Sequence, residues 1–210
     1  MEASETRIRL TDSTDALMLK SVFIREKDPC FIGFIIIKIM SLSKPNPPFT
    51  ILGIDPGFAT TGFALITEKN KELEVIDYGV ITTSTKQEFS ERLKYLHQAL
   101  TKIMKKYKPD AVCVEQLYFA KNVKTALNVG QARGVILLTA ILNKLPLFEF
   151  TPLQVKQAVC GYGQADKCQV QNMVKTILKL KTIPKPDDAA DALAIALTYL
   201  QAKSWLDKTK

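Results

Sequence analysis

The sequence predicts a mixed α/β fold, a five-stranded sheet flanked by helices on both faces. Three observations carry this. Three apolar runs follow one another at hairpin distance from residue 49 onward. Helical and strand patterns then alternate, adding two shorter apolar runs. Three helical stretches close the chain.

Taken in order, "FTILGID" (49–55) is a continuous apolar run ending in a polar turn, the pattern of a buried strand. "TGFALITEK" (61–69) and "LEVIDYGVITT" (73–83) supply the second and third strands of a meander. Residues 87–107 carry Leu93, Leu96, Leu100, Ile103 and Met104 at helical spacing. "DAVCVEQ" (110–116) reads as a fourth strand buried on both faces, and "PLFEF" (146–150) as a fifth. A long helix is expected over 122–143, and shorter ones over 152–160, 166–180 and 187–202. There is no internal repeat.

The boundaries expected are an N-terminal extension and linker over 1–46, a catalytic-sized domain over 47–202 and a short tail over 203–210. "CFIGFIIIKIM" (30–40) is interrupted by Lys38 and is too short for a bilayer span, which takes about 20 residues. It also sits too late for a signal peptide. Met40, followed by the Pro-rich "SLSKPNPP", resembles a start. Residues 1–39 are therefore expected to be upstream sequence read in frame or a weakly ordered extension.

The chain has a net charge of +8, and residues 1–39 are balanced, so the basic excess lies wholly beyond them. A basic globular domain points to a polyanionic partner such as nucleic acid, and to no membrane. The four cysteines show no paired spacing and the single histidine, His97, has no partner motif, which excludes the zinc-site classes. Cys113 reads as a small buried hydrophobe. A reducing, cytoplasmic setting is the simplest account.

Acidic residues mark the chemistry. Asp55 ends the first strand, Glu115 ends the fourth, and Asp187, Asp188 and Asp191 open the last helix. Ligands gather at strand ends and helix termini in such a fold. A carboxylate embedded in apolar strand residues is costly unless paired, and a hard divalent cation with oxygen ligands would relieve that cost. Two such ions roughly 4 Å apart can assist phosphodiester hydrolysis. Geometry alone leaves the last aspartates open, because residues three and four apart share a helix face.

"LGIDPG" (52–57), "VEQLYFAKN" (114–122), "LNVGQARGV" (127–135), "QVKQAVCGYGQADKCQVQNMV" (154–174) and "DAADALAIALT" (188–198) resemble, in order and spacing, the RuvC family of bacterial Holliday-junction resolvases. The resemblance covers roughly residues 50–200. It implies a ribonuclease-H-like fold and a homodimer binding four-way junction DNA. It further implies symmetric nicking of two strands of like polarity with Mg²⁺ (Mn²⁺ able to substitute), giving 5′-phosphate ends, in concert with the RuvA–RuvB complex. Carried over by position, the catalytic carboxylates and metal ligands fall on Asp55, Glu115, Asp188 and Asp191, with two ions per site expected. Asp187, following Pro186, is then left as an N-cap. Lys156 and Lys167 fall on DNA-binding positions. Tyr118 stands where the family has a base-contacting aromatic, often Phe.

Other readings attach to the same segments. "YFAKNVK" mixes two aromatics with Lys121 and Lys124. Exposed, Tyr118 and Lys121 would stack on bases and contact phosphate, whereas a buried aromatic there would be core. "DPGFATTG" (55–62) resembles the phosphate turn of sugar kinases and actin-like ATPases, but no second turn of that kind is present in the chain. Ala126, Gly130 and Gly134 give the long helix a smooth stripe, suited either to packing on the sheet or to a partner helix. The alternatives in function are a related ribonuclease-H-like nuclease acting on RNA and a junction-binding protein that does not cleave.

Overall fold

The computed structural model describes residues 47–117 and 123–208. The sheet contains β1 (Phe49–Asp55), β2 (Thr60–Lys69), β3 (Glu72–Thr82), β4 (Ala111–Glu115) and β5 (Leu147–Phe150), in the spatial order β3-β2-β1-β4-β5. β1–β2 and β2–β3 pair antiparallel, while β1–β4 and β4–β5 pair parallel. The helices are α1 (Phe89–Tyr107), α2 (Val123–Leu142), α3 (Pro152–Cys160), α4 (Lys167–Ile177) and α5 (Asp187–Lys208). This is the mixed α/β sheet expected.

Side-chain alternation along the strands divides the core in two. Ile51, Ala64, Ile66, Ala111 and Cys113 pack with α3, α4 and α5 on one face. Leu52, Ile54, Leu65, Val112 and Val114 pack with α1 and α2 on the other. The α1 stripe, Leu96, Leu100 and Met104, is the one its spacing foretold, and Arg92 stands on the same stripe one turn earlier. α5 is different: from Ala189 to Leu197 every residue except Asp191 is buried, as befits a helix apolar nearly all round.

Some boundaries differ from expectation. α4 starts at Lys167 because Asp166 serves as its cap, accepting from the Gln169 backbone N–H, with Gln169 reaching back to the Asp166 N–H. It ends at Ile177, not 180. Lys179 is left-handed there, and Lys179 and Leu180 donate back to the Thr176 and Lys175 carbonyls. α5 continues to Lys208, so the short tail expected from 203 begins as helix. Asp187 does not precede α5 but is its first residue, since the Pro186 carbonyl accepts from the Ala189 and Ala190 N–H groups. The N-cap place therefore falls to Pro186.

Candidate active site

The site is built where two parallel strands end. Ile54 of β1 is level with Val114 of β4, so Asp55 and Glu115 follow side by side at the C-terminal rim. Both continue the alternate series 51, 53, 55 and 111, 113, 115, whose members Ile51, Ala111 and Cys113 pack against α5. The two carboxylates therefore emerge on the α5 face.

Glycine brings α5 to them. Gly62 of β2 is directly opposite Asp55, and a Cβ there would fall 1.9 Å from the Asp188 carbonyl oxygen. A Cβ on Gly53 would fall 2.3 Å from the Ala192 carbonyl oxygen and 2.9 Å from the Ala196 methyl. Only side-chain-free strand positions permit that approach. The helix backbone at Asp188 is thus pressed onto the strand position beside Asp55.

The electrostatics follow from that crowding. The Asp55 carboxyl is pushed up to about 7 by burial first, then by Asp191, Glu115 and Asp188, against a smaller opposing effect of Lys167. Burial and Asp191 push Glu115 up to about 7 as well, with Lys156 opposing. Asp191 is raised by burial and partly held down by Lys167. Asp187 behaves oppositely. Exposed, and beside Lys167 and Lys185, it is held below the ordinary carboxylate range.

Four carboxylates thus converge from β1, β4 and α5, while Asp187 turns to lysines at the edge. Lys167, at the first position of α4, reaches Asp191 at 3.1 Å and Asp187 at 3.6 Å. Lys156 of α3 is close enough to act on Glu115. Tyr118 and Lys121 lie outside the described residues. His97 hydrogen-bonds Thr139 at 2.8 Å between α1 and α2, far from this chemistry in role.

A divalent cation fits the donor set. All four donors are hard oxygen, two stand half-buried at the ends of apolar strands, and their mutual repulsion is what an ion would remove. No hydrogen bond or ion pair to the Asp55 or Glu115 carboxylate occurs among the described residues. Among the same residues no three acidic, His or Cys side chains are grouped so as to hold a metal ion. The Lys167–Asp191 ion pair sets an ammonium beside one of the carboxylates.

Two contributors escaped sequence reasoning. Gly62 was visible only as part of a turn motif. Arg133 of α2 donates from Nε to the Glu115 carbonyl at 3.3 Å and pairs with Glu149, tying the end of β4 from the other face. Its only signal was an arginine within an otherwise smooth helix stripe.

A meander-first mixed sheet with an acidic cluster at the rim of its central strands defines a metal-dependent nuclease of ribonuclease-H-like fold. The description "Crossover junction endodeoxyribonuclease RuvC" matches residues 51–199. The chain belongs to the RuvC family of crossover junction endodeoxyribonucleases, enzymes that hydrolyse DNA phosphodiester bonds. The protein of that name from Caldicellulosiruptor saccharolyticus is 54% identical over 155 residues, covering 73% of this chain and 93% of the relative. The solved Thermus thermophilus RuvC superposes with a TM-score of 0.70 at 34% identity, over 75% of this chain and 96% of that one. The same enzyme in complex with Holliday junction substrate gives a TM-score of 0.68 at 32% identity, over 75% and 96% of the two chains. Among the described residues no helix is long and apolar enough to cross a membrane.

Proposed function

We propose that this chain resolves four-way DNA junctions by paired, symmetric nicks, with Asp55, Glu115, Asp188 and Asp191 as the metal-binding catalytic carboxylates. The observation that carries the reading is the seating of α5 on Gly62, which gathers acids from three elements around Asp55. Bound there, one or two Mg²⁺ ions would lower the pKa of water and neutralise charge on the scissile phosphate, with Mn²⁺ a substitute. Asp55 and Glu115, one at the end of each strand, present oxygen on the floor of the site. Asp188 and Asp191 present it from one helical turn above. Water oxygen bonds to phosphorus as the bond to the 3′ oxygen breaks, leaving a 3′-hydroxyl and a 5′-phosphate.

The surrounding residues guide the strand. Lys156 and Lys167 would draw phosphate towards the acids. In the structure Lys167 is engaged with Asp191, so a cation taking up Asp191 would free its ammonium for phosphate. Tyr118 and Lys121 would stack on and hold nucleotides near the crossover.

Symmetric nicking calls for two sites related by a two-fold axis, and α2 offers the surface. Leu127, Leu138, Ile141 and Leu142 are each more than half exposed. A Cβ on Gly134, on the same stripe, would meet nothing within 4 Å. That supports a partner helix over packing on the sheet, and hence a homodimer. Family membership extends the reading to work beside RuvA–RuvB on the DNA of a bacterial cytoplasm.

The test compares a synthetic four-way junction, a linear duplex and an RNA–DNA hybrid, each with and without Mg²⁺. Paired nicks on opposite arms of the junction alone are expected. Cutting of the hybrid's RNA strand would indicate a ribonuclease, and tight junction binding without nicks a non-cleaving binder.

A further inference from the structure

Arg92 is a cation placed where no carboxylate answers it. It is 8% exposed, on the apolar stripe of α1, and among the described residues forms no ion pair. A guanidinium stays charged in proteins, so such burial is costly unless its hydrogen bonds are satisfied. Its side-chain contacts fall on two segments that meet, Thr83 just after β3 and Phe58 in the turn after β1. Nε donates to Thr83 Oγ1 at 3.0 Å and Nη2 to the Phe58 carbonyl at 3.4 Å. The guanidinium carbon lies 3.6 Å from the centroid of the Phe58 ring, which stacks on Phe89. Thr83 extends the grip, donating from Oγ1 to the Phe58 carbonyl at 2.8 Å and from its backbone N–H to the Ala59 carbonyl at 2.9 Å.

Phe58 and Ala59 belong to the turn joining Asp55 to β2. That turn is short, running from Asp55 at the end of β1 to Thr60 at the start of β2, and Gly62, the β2 residue paired with Asp55, is where α5 is seated. We propose that Arg92 is a positioning residue for Asp55: it locks the 56–59 turn from the face opposite the acids and so fixes the direction of that carboxylate. The proposal rests on the assignment of Asp55 to the catalytic set. Arg92 itself touches neither substrate nor metal.

The experiment uses the full chain and three variants, Arg92→Met, Thr83→Val and their combination, with Arg92→Lys in reserve should the methionine variant not fold. In metal-free protein, Arg92→Met should speed amide hydrogen exchange across residues 56–61 by about tenfold. Exchange in 49–54 and in α5 should stay unchanged. Junction affinity without metal should not move, while single-turnover cleavage should fall roughly tenfold to a hundredfold, as small misplacements do. Thr83→Val should give a smaller effect of the same kind, and the double variant less than the sum of the two. An undisturbed turn, exchange raised equally throughout the domain, or additive effects in the double variant would each overturn the proposal. Asp55→Asn run in parallel separates the two readings. Cleavage by that variant at the parent rate would sink the catalytic assignment; its inactivity beside a normal Arg92→Met would sink only this one.

Discussion

The two faces of the sheet are built from opposite materials. On the α5 face the strands offer Gly53 and Gly62 and the helix offers alanines, so backbone meets backbone and acids crowd together. On the α1/α2 face the packing is of large aliphatic side chains, and two arginines reach between them to backbone carbonyls. Arg92 holds the Phe58 carbonyl after β1, and Arg133 holds the Glu115 carbonyl at the end of β4. One face therefore concentrates negative charge, while the other grips the ends of the strands that carry it. The contrast teaches that a repulsive cluster needs its alignment supplied from outside itself.

The strongest way to break the acidic face is to remove a ligand. Asp188→Asn should lower junction cleavage by about a thousandfold or more in single-turnover assays, since loss of metal assistance removes several kcal/mol of stabilisation. Junction binding in gel shifts should remain close to parental. Next comes the floor. Gly62→Ala must move the Asp188 backbone or the strand, so a loss of about 1–3 kcal/mol in denaturant unfolding is expected, with slower cleavage. A Gly134→Ala control, in open space, should do neither at the level of the monomer.

Smaller effects sharpen the comparison. Lys156→Ala should weaken junction binding and reduce the slope of log affinity against log salt by about 1, so its deficit shrinks as salt rises. The pH dependence is subtler. Asp55 and Glu115 are raised in the folded protein from ordinary carboxylate values to about 7. Between those limits the native state binds more protons than the unfolded one, so metal-free stability should fall as pH rises from about 4 to about 7. Melting temperatures in chelator should follow that decline. Adding Mg²⁺ at the high end should restore stability, with little effect at pH 4, where the acids are protonated.

Much of this was legible in the chain. The buried runs at 49–55 and 110–116 announce strands because nothing else buries such short apolar segments between polar turns. Asp55 and Glu115 were conspicuous as charges closing apolar runs. The choice among the last aspartates was not legible from spacing, because Asp187 and Asp188 both share a face with Asp191. Tertiary placement distinguishes them: Asp188 lies over Gly62, and Asp187 faces Lys167 and Lys185. The helix end before Lys179 escaped notice because lysine takes the left-handed position where glycine is the usual signal. Arg92 was hidden for a similar reason, since a charge on a helix reads as surface until its stripe is seen to be buried.

The central claim is that Asp55, Glu115, Asp188 and Asp191 together hold the catalytic cation. Its most direct test is an anomalous-scattering map from crystals of the protein grown with Mn²⁺. One or two peaks should lie about 2.1 Å from carboxylate oxygens of these residues, with Lys167 withdrawn from Asp191. A peak centred on Asp187, or ordered carboxylates with no ion among them at saturating Mn²⁺, would contradict the account.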